Sequence, residues 1–222
     1  MAKRFEDEVA YYYDFHPTEE DLMGETSIHR DLVTYLALVL QWLFQGQRCA
    51  VYENLNFYQT SDVMEHPLAP DIAVIKGVER QQVRSWRVGK MGPAPQVVFE
   101  IASVETWKKD LEEKPQQYGL MGVKEYFAYD PNERPLLSKE TSRRLWGWQL
   151  DKGSGQMRAM PAQVDERLWS RYLESFLVPD GEYLRLYDTA GQLRLTKAEA
   201  EARRAEALAE KLRALGIDPD QL

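Results

Sequence analysis

The sequence predicts an α/β fold, a mixed β-sheet core flanked by helices with a helical extension at the C-terminus. Three observations carry this. A broad apolar stripe at helical spacing runs from Ser27 to Phe44. Short apolar or alternating runs recur after it. A charged helical stretch separates two of those runs, so helix and strand patterns interleave along one chain.

In chain order, residues 1–25 form an acidic arm with an aromatic cluster, Tyr11–Tyr13 and Phe15, read as draping over the domain. Ser27 is placed to cap a helix whose Leu32, Val33, Leu36, Val39, Leu40, Leu43 and Phe44 make one apolar face, with Gly46 ending it. In CAVYENLNFYQ, Val51, Glu53, Leu55 and Phe57 alternate with Tyr52, Asn54 and Asn56, a strand by period. Residues 60–69 read as a polar loop. Pro70 cannot donate to a sheet ladder and marks the start of a short strand over Asp71–Ile75.

Residues 76–90 then carry Lys76, Arg80, Arg84, Arg87 and Lys90 against Glu79, a net charge of +4. A helical turn there would put Arg80, Arg84 and Arg87 on one face, suited to phosphate contact; a solvated connector is the alternative. Gly92, Pro93 and Pro95 supply turn chemistry before an apolar strand, Gln96–Ala102, interrupted only by Glu100. Thr106–Leu120 reads as helix, kinked or restarted at Pro115, and stopped by Gly122. Lys124–Tyr129 alternates and ends in the turn opener Asp130-Pro131. Further strands are expected at Arg143–Leu150, Gln156–Met160 and Glu182–Tyr187. Thr196 and Glu199 form a capping box for a last helix bearing Leu208, Leu212 and Leu215, expected either to dock on the domain or to pair with a second chain. Residues 1–195 therefore read as one domain and 196–222 as its extension.

With 222 residues and 44% hydrophobic content, the chain can bury an ordinary core. Its net charge of −8 is concentrated in the arm, where Lys3 and Arg4 face eight acids for a local −6. The remainder is close to neutral, which leaves a nucleic-acid substrate open. The single cysteine, Cys49, allows no internal disulfide. The absence of a long apolar run or a signal-like N-terminus fits a cytoplasmic protein with no membrane partner.

The chemistry centres on Asp71 and Glu100. A carboxylate in an apolar strand is costly to desolvate unless paired, protonated or bound to a cation. If the two strands pair, both acids meet at one rim of the sheet, where they suit a hard divalent cation. Asp110, Lys114 and Tyr118 stand at i, i+4 and i+8 and share a helix face. Duller roles stay open: Asp71 as a turn cap, Glu100 in a structural pair with a buried arginine or lysine, and Lys114 on a solvated face. His29 reads as surface or half-buried, with assistance at the site as the alternative. His16 and His66 lack metal-ligand spacing, so zinc is unsupported.

Pro70-Asp71 followed by Glu100-Ile101-Ala102-Ser103 resembles the PD-(D/E)XK nuclease superfamily and, within it, the Uma-two-type restriction endonuclease-like family. The likeness extends through Trp107–Tyr118, GVKEYFAYDP and the terminal LRALGIDPD. It implies a restriction-endonuclease-like core and a metal-dependent endonuclease acting on duplex DNA, for which a homodimer would suit cutting both strands. It further implies Mg²⁺ or Mn²⁺ held by Asp71, Glu100 and the Ile101 backbone carbonyl, with Lys114 as general base or charge stabiliser. Arg80, Arg84, Arg87 and Tyr118 would contact the substrate. The superfamily's lysine two residues after the glutamate is here Ala102, and Lys114 takes its place. A catalytically inactive binding or assembly protein on the same fold is the alternative; a glycosidase-like carboxylate pair has little support.

Overall fold

The computed structural model describes residues 27–59, 66–103, 107–132, 143–161, 163 and 165–219. The acidic arm, most of the polar loop at 60–69 and the expected helix start at Thr106 lie outside the described residues. Helix α1 (Ser27–Leu43) buries the apolar stripe read from the sequence. Strand β1 (Cys49–Glu53) follows, but the expected long strand breaks in two. Asn54 adopts φ 48°, a left-handed conformation that asparagine tolerates better than most residues. The chain then leaves as β2 (Asn56–Tyr58).

Strands β3 (Ile72–Lys76), β5 (Val97–Ile101), β6 (Glu125–Tyr129), β7 (Leu145–Leu150) and β8 (Met157–Ala159) join β1 in a six-stranded sheet. Its order is β1-β3-β5-β6-β7-β8. Every neighbouring pair in it is antiparallel except β5–β6, which is parallel. A parallel pair needs a crossover connection. Helices α2 (Trp107–Glu112) and α3 (Lys114–Met121) supply it, separated by a turn at Glu113 where Pro115 forces a restart. Gly122 closes α3 at φ 95°, its amide bonded to the Gly119 carbonyl.

The two faces of the sheet are covered differently. On one face Val97, Phe99, Ile101, Phe127 and Tyr129 pack against α1 and against leucines of a three-stranded sheet. That sheet is β9 (Leu168–Ser170), β10 (Ser175–Asp180) and β11 (Tyr183–Tyr187), in the order β11-β10-β9. On the other face Val98, Ala102, Tyr126 and Ala128 pack with Tyr118, Met121, Phe57 and Trp86.

Strand β4 (Ser85–Arg87) corrects the helical-turn expectation for the basic segment. It pairs in parallel with β2, Phe57 opposite Trp86. Trp86 is fully buried, and its indole N–H donates to the Pro93 carbonyl at 3.0 Å. That burial decides the local structure, because a helical turn would have carried the indole round with the arginines. Lys76, counted with the same segment, turns away and donates to the Tyr172 carbonyl. Helix α4 (Lys197–Ala214) opens with the expected capping box, Thr196 accepting from the Glu199 amide and the Glu199 carboxylate from the Thr196 amide. It buries none of its residues.

Candidate active site

Asp71 sits at the bend leading into β3, and its Oδ2 accepts a hydrogen bond from the Ile101 amide at 2.5 Å. The antiparallel pairing of β3 with β5 makes this reach short, since Ile72 lies opposite Phe99. A strand residue sends its N–H and C=O out on the same side. The Ile101 carbonyl is therefore directed to the Asp71 side of β5. From the opposite face of the sheet, α1 brings His29 Nε2 to 3.4 Å from Asp71 Oδ2. The sequence signal for His29 was weak, because a histidine near a helix start has many ordinary uses.

Glu100 is only 4% exposed and shares a sheet face with Val98 and Ala102. Its Oε1 accepts from the Tyr118 hydroxyl at 2.5 Å, and its Oε2 lies 3.1 Å from Lys114 Nζ. Burial pushes its carboxyl up to about 8, with the Asp71 and Asp110 charges adding to the rise and Lys114 opposing it. Among the described residues its ionic partner is thus a lysine and not a buried arginine.

Lys114 is held from two sides, since its Nζ also lies 2.8 Å from Asp110 Oδ1. Burial alone would pull the ammonium down, but the charges of Glu100 and Asp110 outweigh it and hold the group well above the usual lysine range. Asp110 belongs to α2 and Lys114 opens α3, so this ion pair spans the break at Glu113. Tyr118 is fully buried and gives its hydroxyl to Glu100, which turns it from the substrate surface to the carboxylate.

A divalent cation is implied by the resemblance, and the residues fit one. Asp71, Glu100 and the Ile101 carbonyl offer hard oxygen donors on one rim. Burial disfavours the ionised form of Glu100, and a cation bound there would favour it. Among the described residues no group of three or more His, Cys, Asp or Glu side chains is arranged for a metal. Mg²⁺ does not need one, because it keeps several waters and binds through one or two carboxylates.

The arginines lie apart from this cluster, on the β2–β4 ribbon and its approach. Arg80 and Arg84 are exposed, and the Arg87 guanidinium stacks 5.0 Å from the Tyr58 ring centroid. The ribbon leaves the sheet beside the site, where the Asn54 amide donates to the Asp71 carbonyl. It also touches the lysine-bearing helix, Gln59 donating to the Leu120 carbonyl.

No curated protein matches the chain significantly. One solved structure similar to it is titled as a "putative nuclease belonging to DUF820" from Anabaena variabilis ATCC 29413. The two share 13% identity with a TM-score of 0.46, over 68% of this chain and 76% of that one, a loose likeness. The family model described as "Uma2: Putative restriction endonuclease" matches residues 5–185, which take in Asp71, Glu100 and Lys114 and most of the chain. By that match, this chain belongs to the Uma2 family of restriction-endonuclease-type proteins.

Proposed function

We propose that the protein is a metal-dependent DNA endonuclease that hydrolyses phosphodiester bonds at the rim formed by β3 and β5. The observation that carries this is the convergence of Asp71 and Lys114 on the Glu100 segment. The Asp71 carboxylate is bonded to the Ile101 amide, and the Lys114 ammonium lies 3.1 Å from Glu100. Residues 1–195 form the nuclease unit, and α4 begins an extension suited to docking or to pairing with a second copy.

Asp71, Glu100 and the Ile101 carbonyl would hold Mg²⁺ or Mn²⁺. When bound, such a cation activates water and neutralises charge developing on phosphorus. The Ile101 amide and His29 fix the direction of the Asp71 carboxylate. Tyr118 fixes Glu100 by donating to Oε1, leaving Oε2 on the Lys114 side. Lys114, held beside Glu100 and Asp110, serves as charge stabiliser for the phosphoryl group or as general base. Arg80, Arg84 and Arg87 on the neighbouring ribbon supply contacts to the phosphate backbone of duplex DNA.

The match to a restriction-endonuclease family supports a nuclease over an inactive binding protein on the same fold. Supercoiled plasmid incubated with purified protein and Mg²⁺ or Mn²⁺ should be nicked or cut, and Asp71→Ala should abolish the cleavage. Equal cleavage by Asp71→Ala would overturn the assignment.

A further inference from the structure

We propose that Asp110 is a positioning residue, holding the Lys114 ammonium at the site and acting on the reaction only through that lysine. The inference rests on the nuclease reading above and names a residue beyond its two acids and lysine.

Lys114 is not fixed by helix continuity. The turn at Glu113 interrupts the helix immediately before it, and Pro115 follows it. A four-carbon stem at such a place has many rotamers, and something outside its own backbone must select one. Asp110 does this at close range, its Oδ1 being 2.8 Å from Nζ against 3.1 Å for Glu100. Asp110 is itself fixed by a contact that leaves its carboxylate out. The buried Tyr126 hydroxyl donates to the Asp110 backbone carbonyl at 2.8 Å, and the residue is 0% exposed.

Charge explains why two acids are needed for one lysine. A cation held by Glu100 would compete with the ammonium for the same carboxylate and repel it. A buried ammonium stripped of its counter-charge is costly and would leave the site. Asp110 lies on the crossover helix and keeps a second carboxylate on the lysine while Glu100 is engaged. The tighter of the two contacts is thus the one that a cation at Glu100 does not share.

The full-length protein carrying ¹⁵N-labelled lysine tests this through the slowly exchanging Lys114 ammonium resonance, assigned by its loss in Lys114→Met. In the unaltered chain the resonance should persist when Mg²⁺ is added. Its disappearance on adding Mg²⁺ would overturn the proposal without any Asp110 variant. In Asp110→Asn, whose backbone anchor to Tyr126 is untouched, the resonance should be lost with Mg²⁺. Plasmid cleavage by that variant should show kcat reduced about 10²-fold, as expected for a misplaced catalytic group, with KM unchanged. The double variant Asp110→Asn/Lys114→Met should be no slower than Lys114→Met alone. A double variant slower by the product of the two single effects would show that Asp110 acts independently of the lysine and would overturn the proposal. If the unaltered protein does not cleave, the nuclease reading falls, and the ammonium resonance alone decides whether Asp110 holds Lys114.

Discussion

Glu100 is the residue whose surroundings have the most consequence for pH. Its carboxyl is raised to about 8, chiefly by burial. In the metal-free protein between the ordinary carboxylate value and about 8, the native state therefore keeps a proton that the unfolded chain has released. Stability falls as pH rises through that window and levels off above it. Glu100→Gln is neutral throughout and should flatten the fall, measured as urea midpoints taken across the window. Some slope should remain, since burial also raises Glu125. Glu100 stood out in the sequence because a carboxylate inside VVFEIAS has few cheap explanations, and the structure pairs it with Lys114 and Tyr118. Lys114 was harder to place, because its aim depends on how the chain restarts around Pro115. The Asp110–Lys114 pair follows the i, i+4 spacing read from the sequence, whereas the approach of His29 to Asp71 was less legible because it comes from packing α1 onto the sheet.

At the level of elements, amphipathic periodicity located α1, and the buried faces of β3, β5 and β6 matched the apolar runs. Strand β4 was hidden in a basic segment, visible only once Trp86 is known to be buried. Strands β9 and β10 were missed because one is three residues long and the other contains Pro179, which argues against a strand until its partner is known. The three-stranded sheet seats against β7 through a close approach at Gly147. A Cβ built there would lie 2.7 Å from Leu168 Cδ1 and 3.0 Å from Phe127 Cε1. Gly147→Ala should therefore destabilise the protein by about 1–3 kcal/mol, the usual cost of overpacking, read from its urea midpoint. An unchanged midpoint would mean that β9 can shift outward at little cost.

Across the whole molecule, sign of charge is segregated. The chain carries −8 overall, yet the segment at 76–90 is basic, and its Arg80 and Arg84 are exposed. On the proposed nuclease reading, these arginines would be the first contacts of a phosphate backbone. Replacing Arg80, Arg84 and Arg87 with glutamine should raise KM for plasmid with little change in kcat. The slope of log affinity against log salt should fall by about 3 if each arginine meets one phosphate. An unchanged KM and slope would move the DNA track to another surface.

The break at Glu113 also bears on how long the site exists as a site. Helix α2 has six residues, too few to persist without its packing, and it is anchored by the Tyr126 hydroxyl and the ion pair across the break. If this crossover opens without unfolding the sheet, it is a unit of local stability lower than the whole, which faster amide exchange in α2 than in β5 would show. Each such opening parts the lysine from the strand glutamate while both acids stay in place. On the proposed nuclease reading, the fraction of time the crossover is closed would then set a ceiling on turnover, independent of how tightly the rim would hold a cation.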